Sequence, residues 1–232
     1  QYHITMKLTN QYWDYRYKQH QTGWDIGYIS APLKEYFDQL TDNKLKILIP
    51  GAGKGWEAEY LFKKGFINTF MLDYSEEAIM SLKCRFPGFP ESNLIYDDFF
   101  NHKNNYDMIV EQTFFCSLHP SQRVDYVKGV AAMLVPGGKL VGVLFNQIFD
   151  KGGPPFGGTK NEYVDLFESN FDIKIMDTAY NSITPRQDQE LFINLIKKVW
   201  YKIISYYLST SQLIKGFIMS NDIIRTVGTI LK

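Results

Sequence analysis

Cysteine is scarce: the 232 residues contain only Cys84 and Cys116. No Cys-x-x-Cys pair and no Cys/His cluster at metal-ligand spacing occurs, so neither a disulfide framework nor a metal site is expected. Both residues read as reduced thiols of a cytoplasmic protein. A charge surplus is missing too, because 25 Lys+Arg balance 25 Asp+Glu. That argues against a nucleic-acid or anionic-membrane partner, since phosphate binding needs a basic surface. No run approaches the roughly 20 apolar residues of a membrane span, and the first ten residues, QYHITMKLTN, hold no apolar signal core. Two phosphate-binding signatures are absent as well. The dinucleotide fingerprint G-x-G-x-x-G is not found, and the only Gly-Lys pair that could end a P-loop is followed by Gly55 rather than Ser or Thr.

Aromatics are abundant, at 16% of the chain, which points to a well-filled core or an aromatic-lined pocket. Apolar periodicity and turn residues divide the chain into alternating elements. A short helix is predicted over 10–20, and Pro32 opens a second in PLKEYFDQL. KLKILIP (44–50) is too short for a helix and reads as a buried strand. WEAEYLFKKG follows as a helix stopped by Gly65, then the strand INTFMLDYS (67–75) and a helix capped by Ser75. SNLIYDDFF and YDMIVEQ read as third and fourth strands. PSQRVDYVKGVAAMLVPGG reads as a helix closed by a Pro-Gly-Gly turn, and KLVGVLFN as the fifth strand. After the helix NEYVDLFESN, the segments FDIKIMDTAYNS and ELFINLIKK read as a final hairpin. This rhythm implies an α/β fold: a doubly wound, Rossmann-like, mostly parallel sheet of seven strands with a C-terminal antiparallel hairpin. Ligands of such sheets bind beyond the carboxyl ends of the strands.

Three features sit at those ends. Gly51, Gly53 and Gly55 leave the first strand in a loop nearly bare of side chains. Asp73 ends the second strand about 20 residues later, where nucleotide folds place an acid for ribose hydroxyls. Asp98-Phe99 ends the third, where a carboxylate beside a backbone N–H can read an adenine edge. A tight turn, a helix cap and a solvated strand end would explain each feature singly; together they suggest an adenosine-bearing ligand without a diphosphate.

At this point the chain resembles the thiopurine S-methyltransferase family of class I S-adenosylmethionine-dependent methyltransferases, and within it the halide/thiol methyltransferase branch. The residues that carry the resemblance are GWDIGYISAP (23–32), IPGAGKGWEA (49–58), LDYSEEAI (72–79), YDDFF (96–100), IVEQTFFCSLHPSQR (109–123), LVPGGKLVGVLF (134–145), GGPPF (152–156) and ITPRQDQE (183–190). FFCSLHPSQR with GGPPF is the specific part; the glycine loop alone matches the whole superfamily. The resemblance implies a methyltransferase domain over residues 1–198, with a cap segment over 10–40. Residues 199–232, with one acid and four bases, fall outside it as a C-terminal extension.

Carried over by position, the resemblance implies that S-adenosylmethionine is the cofactor and S-adenosylhomocysteine the product. Gly51 and Gly53 pass the methionine moiety, Asp73 holds the ribose, Asp98 and Phe99 frame the adenine, and Glu111 lies under the methionine amino group or the sulfonium. Trp13, Tyr17 and Trp24 close over the site, with Trp13 and Tyr17 four apart on one helix face. Arg123, His119 and Tyr17 are the substrate-side candidates, and no metal is implied. Two positions depart from the family pattern: Ile49 stands where many relatives have an acid, and Tyr17 where the family often has Trp.

The implied reaction is in-line methyl transfer to a small soft nucleophile, a thiol, thiopurine, hydrosulfide or halide. Cys116 has no activating partner pattern and reads as a buried small residue. The alternatives are an O- or N-methyltransferase of a small metabolite, which would need a placed base such as His119, and a catalytically silent cofactor-binding domain. A nicotinamide oxidoreductase is disfavoured by the glycine spacing. The expected partner is a small-molecule substrate, without nucleic acid or membrane, for a monomer or weak homodimer.

Overall fold

Four residues, Ile47–Pro50, form the first strand, β1, and all four are buried. A run apolar on both faces suits a strand covered by helices on each side. The computed structural model describes residues 8–149 and 152–199; from residue 200 on, the predicted C-terminal extension lies outside the described residues. Before β1 come α1 (Asn10–Lys18) and α2 (Ala31–Asp38), the latter with Pro32 in its first turn. After it come α3 (Trp56–Lys63), β2 (Thr69–Asp73), α4 (Glu76–Arg85), β3 (Leu94–Tyr96) and β4 (Tyr106–Gln112). The second half holds α5 (Arg123–Met133), β5 (Leu134–Phe145), α6 (Lys160–Phe167), β6 (Phe171–Thr178) and β7 (Glu190–Lys197).

The strands form one seven-stranded sheet in the order β3-β2-β1-β4-β5-β7-β6. β3, β2, β1, β4 and β5 pair in parallel, and β7 pairs antiparallel with both β5 and β6. The predicted doubly wound architecture is therefore the observed one, with β6 and β7 as its antiparallel hairpin. Strand order reverses between β1 and β4, so the crevice for a ligand opens beyond Pro50 and Gln112. α4 begins as its sequence dictates, with the Ser75 hydroxyl accepting the Ala78 N–H at 3.3 Å.

The sheet separates two apolar layers. One joins Tyr106, Tyr126, Phe115, Phe167 and Phe171; the other joins Leu33, Phe37, Leu61, Met71 and Leu82. Phe115 meets Tyr126, Tyr163 and Phe167 at ring-centroid distances of 5.2, 5.5 and 6.0 Å. Many of the aromatics thus fill the core, and truncating one such ring to alanine costs about 3–5 kcal/mol.

Two boundaries differ from prediction in substance. β3 ends at Tyr96, so Asp98 and Phe99 lie in the turn after the strand and not in it. Pro-Gly-Gly does not close α5, which ends at Met133; it lies inside β5. Leu134 is buried and pairs with Tyr106, and the ladder then slips to Met108 opposite Lys139. Pro136 has no N–H to donate and Gly137 takes φ +76°, so the segment bulges within the strand instead of ending the helix.

Candidate functional site

A cleft of about 1160 Å³ lies over the strand ends and is walled by the glycine loop, the ends of β2 and β4, the 97–100 turn and the N-terminal cap segment. The glycines answer first to the protein's own rings. Gly51 has φ +55°, and a Cβ there would stand 2.2 Å from the Phe114 ring; at Gly53, also φ +55°, it would stand 2.8 Å from the Tyr17 hydroxyl. Only glycine allows both the turn and these approaches.

Asp73 lies at the rim with little exposure. Its carboxylate accepts the Gly53 N–H and the Ser75 N–H, both at 2.9 Å. It therefore ties the glycine loop to the start of α4 and still faces the cleft, because a carboxylate offers about four lone-pair sites. Burial pushes its carboxyl up to about 6, against the lowering effect of the main-chain N–H groups. Asp98 faces the same space and accepts the Phe100 N–H at 3.0 Å. Phe99 is almost fully buried, stacked on Tyr126 at 5.3 Å and edge-on to Phe114 at 5.3 Å, with part of its ring on the cleft.

The cap aromatics come together as expected. Trp13, Tyr17 and Trp24 all line the cleft, with Trp24 edge-on to Trp13 at 5.4 Å and to Tyr17 at 5.8 Å. Burial, reinforced by the Asp73 charge, holds the Tyr17 hydroxyl protonated far above its ordinary range. Gly53 is set back from the wall, its N–H taken by Asp73 and its Cα under Tyr17.

Two expected site residues do other work. Glu111 is fully buried and off the cleft wall: one oxygen accepts the Phe114 and Phe115 N–H groups at 2.8 Å, the other the Tyr126 hydroxyl at 2.7 Å. It holds the 113–118 loop from behind the cleft wall. Burial pushes its carboxyl up to about 7 despite those bonds. Arg123 also stands behind the wall. Its guanidinium donates to the carbonyls of Phe156 and Gly157 at 3.1 and 2.7 Å and lies over the Phe115 ring at 4.8 Å. It clamps the 152–157 loop, which contains the cis Pro154-Pro155 bond, and is not part of the cleft lining.

His119 does line the cleft, but its Nδ1 faces Ser121 at 2.8 Å and serves as the cap of the 3-10 turn Pro120–Gln122. Cys116 is a wall residue whose thiol donates to the Thr113 carbonyl at 3.2 Å; burial pushes it far above the range of a reactive thiolate. Ile49 is core.

The residue missed by sequence reasoning is Arg186. It reaches the cleft from the loop between β6 and β7, donates to the Trp24 carbonyl at 2.6 Å and lies over the Phe145 ring at 5.5 Å. Its signal was an arginine between Pro185 and an acid, Glu190, four residues on; the two side chains stand 3.4 Å apart. Among the described residues no group of three or more His, Cys, Asp or Glu could hold a metal, and no helix is long and apolar enough to cross a membrane.

The donor set fits a nucleoside carrying a positive sulfur. Two carboxylates, Asp73 and Asp98, face one end, aromatic rings cover the middle, and the loop's lysine, Lys54, pairs with Asp25 at 2.7 Å.

Known proteins share the fold and the sequence family. Among solved structures, the chain aligns with a TM-score of 0.60 and 15% identity to 1,6-didemethyltoxoflavin-N1-methyltransferase from Burkholderia thailandensis, covering 82% of this chain and 87% of that one; that protein was solved with S-adenosylhomocysteine bound. A protein from work on the conversion of a disulfide bond into a thioacetal group during echinomycin biosynthesis aligns with a TM-score of 0.67 and 13% identity, over 88% of this chain and 99% of that one. Both likenesses concern the fold. In sequence, the chain is 25% identical over 185 residues to probable thiol methyltransferase 2 of Arabidopsis thaliana, covering 77% of this chain and 81% of the relative. It is 24% identical over 160 residues to thiocyanate methyltransferase 1 of Brassica oleracea, covering 66% and 70%. The family model for thiopurine S-methyltransferase matches residues 8–204. The chain belongs to the thiopurine S-methyltransferase family and is an S-adenosylmethionine-dependent methyltransferase.

Proposed function

We propose that the enzyme methylates a small, soft, anionic nucleophile: a thiolate, thiopurine, hydrosulfide or halide. The observation that carries this reading is the division of the cleft by charge. Asp73, Asp97 and Asp98 stand at the ends of β2 and β3, while the other half is built from Phe145, Phe149, Pro154, Pro155 and Phe156 with the Arg186 guanidinium among them. Thiol and thiocyanate methyltransferases among its relatives support the same class.

Bound S-adenosylmethionine supplies a methyl group already made electrophilic by its sulfonium. The chain's own residues supply position and dryness. Asp73 accepts from the ribose hydroxyls, and Asp98 with Phe99 frames the adenine. Trp13, Tyr17 and Trp24 cover the reacting centre and keep water off the nucleophile. A thiolate or halide loses much of its reactivity to hydration, so exclusion of water and alignment are the main contributions, the latter up to roughly 7–11 kcal/mol. Arg186 offers the anion a cation at the apolar end. No general base is needed, and the exposed His119, already engaged by Ser121, is not placed as one.

Headspace gas chromatography of methyl transfer to iodide and hydrosulfide, beside a chromatographic assay with an aromatic thiol, tests the proposal. Turnover of at least one of these and none of the corresponding alcohols or amines is expected. Transfer to an alcohol or amine with no reaction at sulfur or halide would reject it.

A further inference from the structure

Lys54 resembles a phosphate-binding lysine by position in the glycine loop, yet it points elsewhere. Its ammonium pairs with Asp25, which belongs to the strap between α1 and α2. The same carboxylate accepts the Trp56 indole N–H at 2.8 Å and the Gly27 N–H at 2.9 Å. Asp25 therefore gathers one donor from its own strap and two from the loop and helix start beneath the cofactor site. Burial alone would push its carboxyl up; the Lys54 ammonium and the two N–H groups outweigh that and leave it below its ordinary value. The receiving surface is itself braced. Arg85 stacks on the Trp56 ring at 3.7 Å and donates to the Lys54 carbonyl at 2.7 Å. A second bond follows five residues on, where the Ser30 N–H reaches buried Glu57 at 3.2 Å.

The strap needs such bonds. In α1 no residue is fully buried, Tyr17 packing on the core only in part, and none from Thr22 to Ile29 is fully buried. Segments with few buried apolar contacts open at low free-energy cost, so a polar contact can decide their position. Beside Asp25 in sequence is Trp24, whose ring covers the cleft and whose carbonyl is held by Arg186.

We propose that Asp25 is a positioning residue: it latches the strap that carries Trp24 onto the glycine loop through Lys54 and Trp56, and so couples cofactor binding to closure of the cleft. The inference rests on the cofactor reading given above. Its test is calorimetric titration with S-adenosylhomocysteine of the wild-type chain and of Asp25→Ala, Asp25→Asn, Lys54→Met, Lys54→Arg and the Asp25→Asn/Lys54→Met double variant. Melting temperatures and trypsin cleavage at Lys18 with and without ligand are measured on the same proteins. Asp25→Ala is expected to raise the Kd about tenfold, within the usual span of coupling between sites, and to abolish ligand protection of Lys18. Lys54→Met and Asp25→Asn each give a smaller rise, and together no more than the larger, because both remove one pair. Lys54→Arg keeps the pair and the affinity. Wild-type affinity and protection in Asp25→Ala would overturn the latch alone. So would additive losses in Kd that follow the loss in melting temperature, the pattern of a merely structural role. A wild-type chain that does not bind S-adenosylhomocysteine would overturn the latch and the cofactor reading together.

Discussion

The two halves of the cleft are built by different means. At the cofactor half each carboxylate is held by main-chain N–H groups close to its strand end: Asp73 by Gly53 and Ser75, Asp98 by Phe100. At the acceptor half the wall is assembled from segments far apart in sequence, the cap at Trp24, the 113–119 loop, the 152–157 loop and Arg186. Its supports are long-range: Arg123 spans 33 and 34 residues to two carbonyls, and Arg186 reaches the Trp24 carbonyl across 162. A site made of local geometry tolerates little change in its few acids. A site made of distant loops depends on which side chain holds the loops and which faces the ligand.

The largest expected effect is at the first kind of site. Asp73→Ala removes the proposed ribose acceptor and leaves the Gly53 and Ser75 N–H groups without their partner. Hydrogen bonds to a charged group contribute about 1.5–3 kcal/mol each, so the Kd for S-adenosylhomocysteine should rise roughly 100-fold or more, each 1.4 kcal/mol being a factor of ten. Calorimetry reads this directly, and unchanged affinity would remove Asp73 from the site.

The two arginines sharpen the contrast within the second kind. Arg186→Met should raise KM for an anionic acceptor about ten- to thirtyfold, 1.4–2 kcal/mol, with cofactor affinity affected less. Arg123→Met should instead lower the melting temperature by several degrees, at about 2–4 °C per kcal/mol for a chain of this size, through the carbonyls of Phe156 and Gly157. Steady-state kinetics beside thermal denaturation distinguishes them; reversed outcomes would return Arg123 to the substrate.

The same division governs what could be read in the sequence. Strand and helix alternation, the Ser75 cap and the acids at the strand ends follow from local patterns, and the structure has them. Glu111 reads as a cofactor residue because a carboxylate at a strand end looks identical in sequence whether it faces a ligand or the loop behind it. Only the fold shows that Phe114, Phe115 and Tyr126 saturate it. Arg123 reads as a substrate-side candidate and Arg186 carries no assignment, for the same reason. Only the fold shows that one arginine meets the 152–157 loop and the other lines the cleft.

Between these extremes lies a pH effect. Asp73 titrates at about 6 in the free protein because burial disfavours its charge, and the Asp14 carboxylate nearby acts in the same direction. A ribose diol needs the charged form as acceptor. Above pH 6 the group is already ionised and affinity should be flat. As pH falls through 6, binding must first remove a proton, so the Kd should rise, approaching tenfold per pH unit. Asp73→Asn should bind more weakly at neutral pH and lose this slope. A wild-type profile flat from pH 8 to 5 would show that Asp73 does not face the ligand.

The smallest effect is expected at His119, the one histidine on the wall among the described residues. His119 lies on the acceptor half, so its position alone makes it a candidate base. Its contacts give it a local task instead: Nδ1 faces Ser121, and its N–H is received by the Gln122 side chain, closing a capping box on a 3-10 turn. Loss of a cap costs about 0.5–2 kcal/mol of stability, while a general base contributes about 100- to 10,000-fold in rate. His119→Ala should therefore shift the melting temperature slightly and keep at least about a tenth of wild-type turnover, far above the loss of a base. A soft anion attacking a sulfonium methyl has no proton to give up, and turnover in this variant tests that chemistry as directly as it tests the residue. A hundredfold fall at unchanged stability would make His119 a base and the acceptor a protonated oxygen or nitrogen.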